Sequence, residues 1–399
     1  MKVILKNFFR EKDFKKKLLD LGVCKKGSDI LSKKYKTYIF YVENISTVSA
    51  NILKQEALCV GADVALPLKA SFFEKKDTKV YLIVTKRQLE KLISRLKEQI
   101  PSLQKLAFIL EEFLNLEKTP YPISFNGKVL SFEKYVLMGI LNVTPDSFYD
   151  GGKYINVDKA IEHAQKLVEE GAQIIDVGGE STRPGATPVS LEEELNRVIP
   201  VIKALRESLP KNIFISIDTY KAKVAQKAIE VGADIVNDIS GLTFDKDMIN
   251  VLKSTHAPVV INHIKGTPKD MQKNPYYENV LDEVSKFFEE KIETLLKVNY
   301  PYTNIILDVG IGFGKRLEDN LTLIKNISHF KKFGLPILVG TSRKSFIGKV
   351  LNLDDPKERL EGTLASNLYL YQQGANIFRV HDVKEHKKAL ELLDVLSRC

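Results

Sequence analysis

The sequence is poor in cysteine and contains no long apolar run, and both shortages narrow what the chain can be. Cys24, Cys59 and Cys399 are its three cysteines. An odd number in no metal-ligand spacing excludes a disulfide framework and a cysteine-held metal, and points to a reducing, cytoplasmic compartment. No stretch reaches the roughly 18 uninterrupted apolar residues of a membrane span. The basic N-terminus, whose apolar run is broken at Lys6 and Asn7, falls short of a signal peptide. Residues 1–130 also lack a glycine-rich phosphate loop, a metal cluster and an acid–base constellation.

What is present describes an ordinary globular protein of more than one domain. The 399 residues are 44% hydrophobic and 28% charged, and such a length favours two domains over one. The net charge of +9 is uneven: residues 1–130 carry 25 Lys and Arg against 14 Asp and Glu, and the remainder 35 against 37. This asymmetry marks a boundary near residue 130 and permits an anionic partner for the first part. Solvated lysine faces are the simpler account, so a nucleic-acid partner is not expected.

Residues 1–125 read as a small basic α+β domain of open function. Lys36–Glu43 and Lys79–Thr85 are aromatic and β-branched, as in strands. Val48–Leu58 has helical spacing, and Arg87–Leu114 repeats Leu and Ile every three or four residues until Pro101 interrupts it. Pro120, Pro122 and the turn Phe125-Asn126-Gly127-Lys128 look like a linker and hairpin.

From Tyr135 onward short β-branched runs alternate with amphipathic stretches. Strands are expected at Val136–Asn142, Ile174–Gly178, Ile213–Asp218, Ile235–Asp238, Val259–His263, Ile305–Asp308, Ile337–Gly340 and Ile377–Val380. Helices are expected at Asp158–Glu170, Leu191–Leu209, Lys221–Val231, Glu278–Val298, Gly362–Gln373 and Lys384–Leu396. Eight such units fit a (β/α)8 TIM barrel over residues 131–399, with a doubly wound open sheet as the other possibility. Gly171, Gly232 and Gly374 follow helices and suit the left-handed turn that ends them.

Polar residues collect at the C-terminal ends of the strands: Asn142, Asp176, Asp218, Asn237 with Asp238, Asn262 with His263, Asp308, Ser342-Arg343-Lys344, and Arg379 with His381. A barrel brings all these ends to one face, and converging so many polar groups without a ligand is costly. Arg379 and His381, one residue apart on an extended strand, share a side and suit an anion.

Five segments carry a resemblance. They are Met138-Gly-Ile-Leu-Asn-Val-Thr-Pro-Asp-Ser-Phe148, Ile175-Asp-Val-Gly-Gly-Glu-Ser-Thr-Arg-Pro-Gly185, Leu307-Asp-Val-Gly-Ile-Gly-Phe-Gly-Lys315, Val339-Gly-Thr-Ser-Arg-Lys-Ser345 and Arg379-Val-His-Asp382. From about residue 135 to the end the chain resembles the dihydropteroate synthase family; the first 130 residues are outside that resemblance. It implies that 4-aminobenzoate displaces pyrophosphate from 6-hydroxymethyl-7,8-dihydropterin diphosphate to give 7,8-dihydropteroate.

The resemblance also implies residue roles. Asp308, Asn237 and Asp218 would hold the aminopyrimidinone edge of the pterin, Lys344 its ring carbonyl and nitrogen, and Ile140, Ile239 and Phe313 its faces. Arg379, His381, Thr182 and Asn142 would receive the diphosphate, with Asn142 ligating Mg²⁺. Thr182, Pro184, Phe313, Lys344 and Ser345 would form the 4-aminobenzoate site. Lys344, Asp218, Asp146 and Arg183 would serve the chemistry, in which the C–O bond loosens before the weakly nucleophilic aniline attacks. A homodimer is implied as well. Asn262, Ile264, Lys265, Val309 and Ile311 depart from the family's usual residues and are expected beside the pterin slot. Two rivals differ in testable ways: a corrinoid-linked methyltransferase needs no diphosphate site, and a catalytically silent pterin- or nucleic-acid-binding protein would bind nucleic acid through residues 1–130.

Overall fold

A computed structural model describes residues 11–396 apart from 73–75, 115–117, 145–148, 151–153, 156 and 182–187. The chain divides into two compact units between Lys118 and Thr119.

The N-terminal unit is a three-stranded antiparallel sheet, β1 (Thr37–Ser46), β2 (Asp63–Ala65) and β3 (Asp77–Thr85), with β3 central. Alternation decides which face is covered. Val80, Leu82 and Val84 are buried against helices Thr47–Cys59, Lys86–Leu96 and Pro101–Glu112, while Ile39, Tyr41 and Tyr81 on the opposite face are exposed. A capping box between Thr85 and Gln88 starts the second of these helices and Pro101 starts the third, a position where its missing N–H costs nothing.

The second unit begins with a hairpin of β4 (Ile123–Phe125) and β5 (Lys128–Leu130). There follow β6 (Val136–Asn142), a short pair β7 (Tyr149–Asp150) and β8 (Tyr154–Ile155), and then β9 (Ile174–Gly178), β10 (Phe214–Asp218), β11 (Ile235–Asp238), β12 (Val259–Asn262), β13 (Ile305–Asp308), β14 (Ile337–Val339) and β15 (Ile377–Val380). Strand β6 and β9 to β15 pair in parallel and close into an eight-stranded barrel, with helices after the strands: the (β/α)8 architecture.

Strand parity builds two layers. One set, including Ile175, Val177, Ile215, Ile217, Ile261, Leu307, Val339 and Phe378, packs outward against the helices. The alternate residues fill the interior. At the lower end these are Val136, Met138, Ile174, Phe214, Ile235, Val260, Ile306, Leu338 and Ile377, and the hairpin closes this floor with Ile123 and Leu130, followed by Phe132. Lys128 ion-pairs with buried Asp234, whose Oδ2 also accepts from Ile215 N at 2.9 Å. The hairpin is therefore part of the barrel unit, and the division of the chain falls before residue 125.

The loop after β13 shows why its sequence is glycine-rich. Gly310 and Gly314 have φ of 67° and 62°, and a Cβ there would lie 1.9 Å from His263 O and 2.2 Å from Lys265 O. No other residue fits these approaches. Val309 and Ile311, on either side of Gly310, are fully buried in the strand–helix layer. They do not line the barrel interior, so two of the five unusual residues expected there turn outward.

Candidate active site

Higher in the barrel the inward positions turn polar. Asp176 is in register with Ile140 on one side and Ser216 on the other, and Asp218 with Asn237. Arg379, from β15, reaches across to this group: its Nε donates to Asp176 Oδ2 at 2.6 Å and its Nη2 to Asp218 Oδ2 at 2.7 Å. Asn237 Nδ2 donates to the same Asp176 oxygen at 3.1 Å. Burial, opposed by the Arg379 guanidinium and reinforced by Asp176, pushes the Asp218 carboxyl up to about 7. Three buried atoms here, Asp176 Oδ1, Asp218 Oδ1 and Ser216 Oγ, have no hydrogen-bond partner. Orphaned buried acceptors are uncommon, and a cluster of them marks a place built for a polar ligand or water.

On the far wall Asp308 Oδ1 accepts from Gly310 N at 2.8 Å, which fixes the carboxylate plane. Burial raises its pKa while Lys344 opposes the shift. The Lys344 ammonium donates to Ile311 O and stands 4.4 Å from the Phe313 ring centroid. Burial, opposed by Asp308, brings Lys344 down to about 8. A Cβ added to Gly340 would meet Lys344 Nζ at 3.9 Å and Arg379 Cβ at 4.0 Å, so the Lys344 ammonium and the stem of Arg379 flank this glycine. A Cβ on Gly178 would likewise lie 3.6 Å from Asp218 Oδ2 and 3.7 Å from Asn142 Oδ1. Ile140 and Ile239 are buried among these groups' neighbours, and Asn262 Nδ2 holds Ile239 O at 2.7 Å.

The Ser-Arg-Lys turn is fastened to the end of β15. Ser342 Oγ lies 2.9 Å from His381 Nδ1, and Arg343 forms a two-pronged ion pair with Asp382, with Nε donating at 3.1 Å. Arg343 has φ of 58°, a left-handed conformation that a side-chain-bearing residue keeps only where surrounding bonds enforce it. Thr363 Oγ1 accepts its N–H at 3.1 Å. Ser345 opens the helix Ser345–Leu351 and is exposed.

The structure thus gathers Asn142, Asp218, Asn237, Asp308, Lys344, Arg379 and His381 at the C-terminal ends of the strands. Asp146, Thr182, Arg183 and Pro184 lie outside the described residues. Among the described residues that precede 182–187 in sequence, Glu180 is fixed: its carboxylate accepts from Val189 N at 3.3 Å and from Tyr220 at 2.9 Å and pairs with Lys221. Two groups that sequence reasoning left without a role stand out: Asp176, and buried Lys315, whose Nζ is 2.9 Å from His263 Nδ1 and donates to Phe313 O at 3.1 Å. Burial holds Lys315 and His263 each well below its usual pKa. Lys315 ends the Leu307–Lys315 segment, so its position was visible but its partner, 52 residues away, was not. Of the unusual residues, Asn262 does face the interior, while Lys265 lies over the Tyr277 ring at 4.2 Å.

This arrangement offers a buried interior edged by carboxylates and an amide, with Arg379 and Lys344 among them and Ile140 and Ile239 buried nearby. It matches a known family. Residues 138–381 match the model described as pterin binding enzyme. A dihydropteroate synthase of Synechocystis sp. is 48% identical over 262 residues, 66% of this chain and 90% of that one. A bifunctional dihydropteroate synthase/dihydropteroate reductase of Helicobacter pylori is 37% identical over 384 residues, 96% of each chain. The solved Yersinia pestis dihydropteroate synthase in a sulfonamide drug complex superposes with a TM-score of 0.66 at 41% identity, covering 70% of this chain and all of that one. The chain belongs to the dihydropteroate synthase family of pterin-binding enzymes, transferases of folate biosynthesis that condense 6-hydroxymethyl-7,8-dihydropterin diphosphate with 4-aminobenzoate.

Proposed function

We propose that the polar upper interior of the barrel is where the two substrates meet, with the roles divided by wall. The aminopyrimidinone edge of the pterin donates to Asp308 and Asp218 and exchanges bonds with Asn237. Lys344 donates to the ring carbonyl and nitrogen, and Ile140, Ile239 and Phe313 cover the ring faces. Arg379 and His381, with Thr182 and Asn142, receive the diphosphate. Thr182, Pro184, Phe313, Lys344 and Ser345 surround 4-aminobenzoate. Asp146 and Arg183 serve the chemistry. The orphaned oxygens of Asp176 and Asp218 beside Arg379 are the observation that carries this reading.

The C–O bond to the diphosphate loosens first, and the aniline nitrogen then attacks the methylene carbon. Pyrophosphate leaves with the bonding pair, and the nitrogen loses a proton. Arg379 is oriented for the departing charge by two carboxylates, and fixed donors of this kind stabilise charge as it develops. Among the described residues no group of three or more His, Cys, Asp or Glu is arranged to hold a metal. A single hard oxygen, Asn142 Oδ1, still fits Mg²⁺, which binds through few protein oxygens together with phosphate oxygens and water. When bound there, the ion would supply charge neutralisation for the leaving group.

Binding calorimetry separates these roles. Asn237→Ala should weaken binding of 6-hydroxymethyl-7,8-dihydropterin, and Arg379→Ala should weaken pyrophosphate binding; unchanged affinities would contradict the division. A homodimer through the outer helices is supported by exposed Leu392, Val395 and Leu396 on the last helix, and sedimentation in solution checks it. No helix among the described residues is long and apolar enough to cross a membrane. Cys24 and Cys59 are free, which supports a reducing, cytoplasmic setting.

A second activity is proposed from the Helicobacter pylori relative, whose similarity, unlike the Synechocystis match, extends through the N-terminal unit. This chain would also reduce dihydropteroate, with a hydride from a reduced nicotinamide or flavin and a proton added across the dihydropterin C=N bond. Following tetrahydropteroate formation with each donor tests this, and no product with either would contradict it.

A further inference from the structure

Asp176 lies on β9 and is fully buried. Its Oδ2 accepts two bonds at once, from Arg379 Nε at 2.6 Å and from Asn237 Nδ2 at 3.1 Å. The donors come from different strands, β15 and β11. In the division of roles proposed above they serve different halves of one substrate, Arg379 the diphosphate and Asn237 the heterocycle.

The consequences for each donor follow from its shape. A guanidinium is a rigid plane with five N–H groups. With Nε held by Asp176 and one Nη2 hydrogen held by Asp218, the remaining hydrogens are left for a phosphate. An amide has two ends of opposite character. Directing Nδ2 to Asp176 fixes which end is the acceptor, so Asn237 presents Oδ1 and its second N–H to the heterocycle in one orientation. Neither Arg379 nor Asn237 is bonded to the other, and Asp176 Oδ2 is the side-chain atom that accepts from both.

We infer that Asp176 is a positioning residue that couples the pterin half of the site to the diphosphate half through this oxygen. The inference rests on the assignment of Asn237 and Arg379 given above and adds that the two do not act independently. Removing one donor changes how firmly Asp176 holds the other, as expected for residues in one hydrogen-bond network. The role concerns Oδ2 alone, since Oδ1 has no hydrogen-bond partner in the protein.

The test is a double-mutant cycle on the full-length chain. The affinity for 6-hydroxymethyl-7,8-dihydropterin diphosphate is measured without 4-aminobenzoate for wild type, Asn237→Ala, Arg379→Ala and the double variant, and again with Asp176→Asn added. Each single variant should weaken binding by about tenfold. In the Asp176 background the double variant should differ from the product of the singles by at least about threefold, and in the Asp176→Asn background the effects should multiply. Asp176→Asn should also raise KM for the pterin diphosphate while leaving KM for 4-aminobenzoate unchanged, a split that general loosening of the fold would not produce.

Effects that multiply in the Asp176 background overturn the inference and leave the site assignment standing. Equal coupling in both backgrounds overturns it too, since the coupling then runs by another route. Single variants that bind normally overturn the assignment and the inference together. If Asp176→Asn does not fold, the cycle in the Asp176 background decides alone, with multiplicative effects counting against the inference and non-multiplicative effects for it.

Discussion

The two halves of the barrel interior are built from the same eight strands and do opposite things. Below, Met138, Ile174, Phe214, Ile235, Val260, Ile306, Leu338 and Ile377 form a dry plug sealed by the β4–β5 hairpin. Two residues further along several of the same strands, Asp176, Ser216, Asn237, Asn262, Asp308 and Arg379 replace them. The lower half stabilises the fold by removing apolar surface from water. The upper half keeps buried polar groups, some of them unpaired, which is tolerable because the lower half holds the strands in place. Mutations should therefore separate: those below cost stability and spare the chemistry, and those above do the reverse.

The largest effect is expected from removing the seal. A chain beginning at Thr119 should keep the synthase activity, whereas one beginning at Ser131 loses Ile123, Leu130 and the Lys128–Asp234 pair. Buried aliphatic losses of about 2–5 kcal/mol each, plus a broken buried ion pair, exceed the margin of most domains. Activity and circular dichroism of the two truncations check this, and an active, folded Ser131 form would contradict it. Next in size, Phe214→Ala should cost about 3–5 kcal/mol in urea unfolding with both KM values unchanged. A raised KM at normal stability would erase the distinction between the halves.

The barrel was legible because its strands are β-branched runs of the right length, and β6, β9, β11, β13 and β15 begin and end where sequence alone sets them. The helices Met248–Thr255 and Leu317–Lys325 were not legible: they are 8 and 9 residues long and lack the glycine stop that Gly232 gives the equally short Ala222–Glu230. The turn of the hairpin was legible, but its place in the floor was not, because its partners there lie on other strands. In the site, the motifs expose Asp308, Lys344, Arg379 and His381 one by one. Asp176 gained a role only through bonds to Asn237, 61 residues on, and Arg379, 203 residues on. Val309 and Ile311 share the outward parity of Leu307, so strand alternation itself turns them away from the interior; the expectation beside the slot came from the resemblance and not from alternation.

In the upper half, Asp308→Ala and Lys344→Ala should each weaken pterin binding by about 1–3 kcal/mol, read by calorimetry, with little change in urea midpoint. Unchanged affinity in both would contradict the placement of the pterin.

The smallest effect is a pH dependence. Asp218 is raised to about 7 and Lys344 lowered to about 8, so pterin affinity should rise as pH climbs through the first value and fall as it passes the second. For stability the sign is opposite at Asp218: the folded chain holds a proton that the unfolded chain releases, so this group's contribution is full below its ordinary pKa and is lost as pH rises toward 7. Affinity that is flat across this window would remove Asp218 and Lys344 as the titrating pair.

The most direct measurement is product formation by the full-length chain supplied with 6-hydroxymethyl-7,8-dihydropterin diphosphate, 4-aminobenzoate and Mg²⁺. One pyrophosphate released for each 7,8-dihydropteroate formed, with loss of both on Lys344→Ala, is the predicted result. A folded wild-type chain that releases no pyrophosphate would contradict the account.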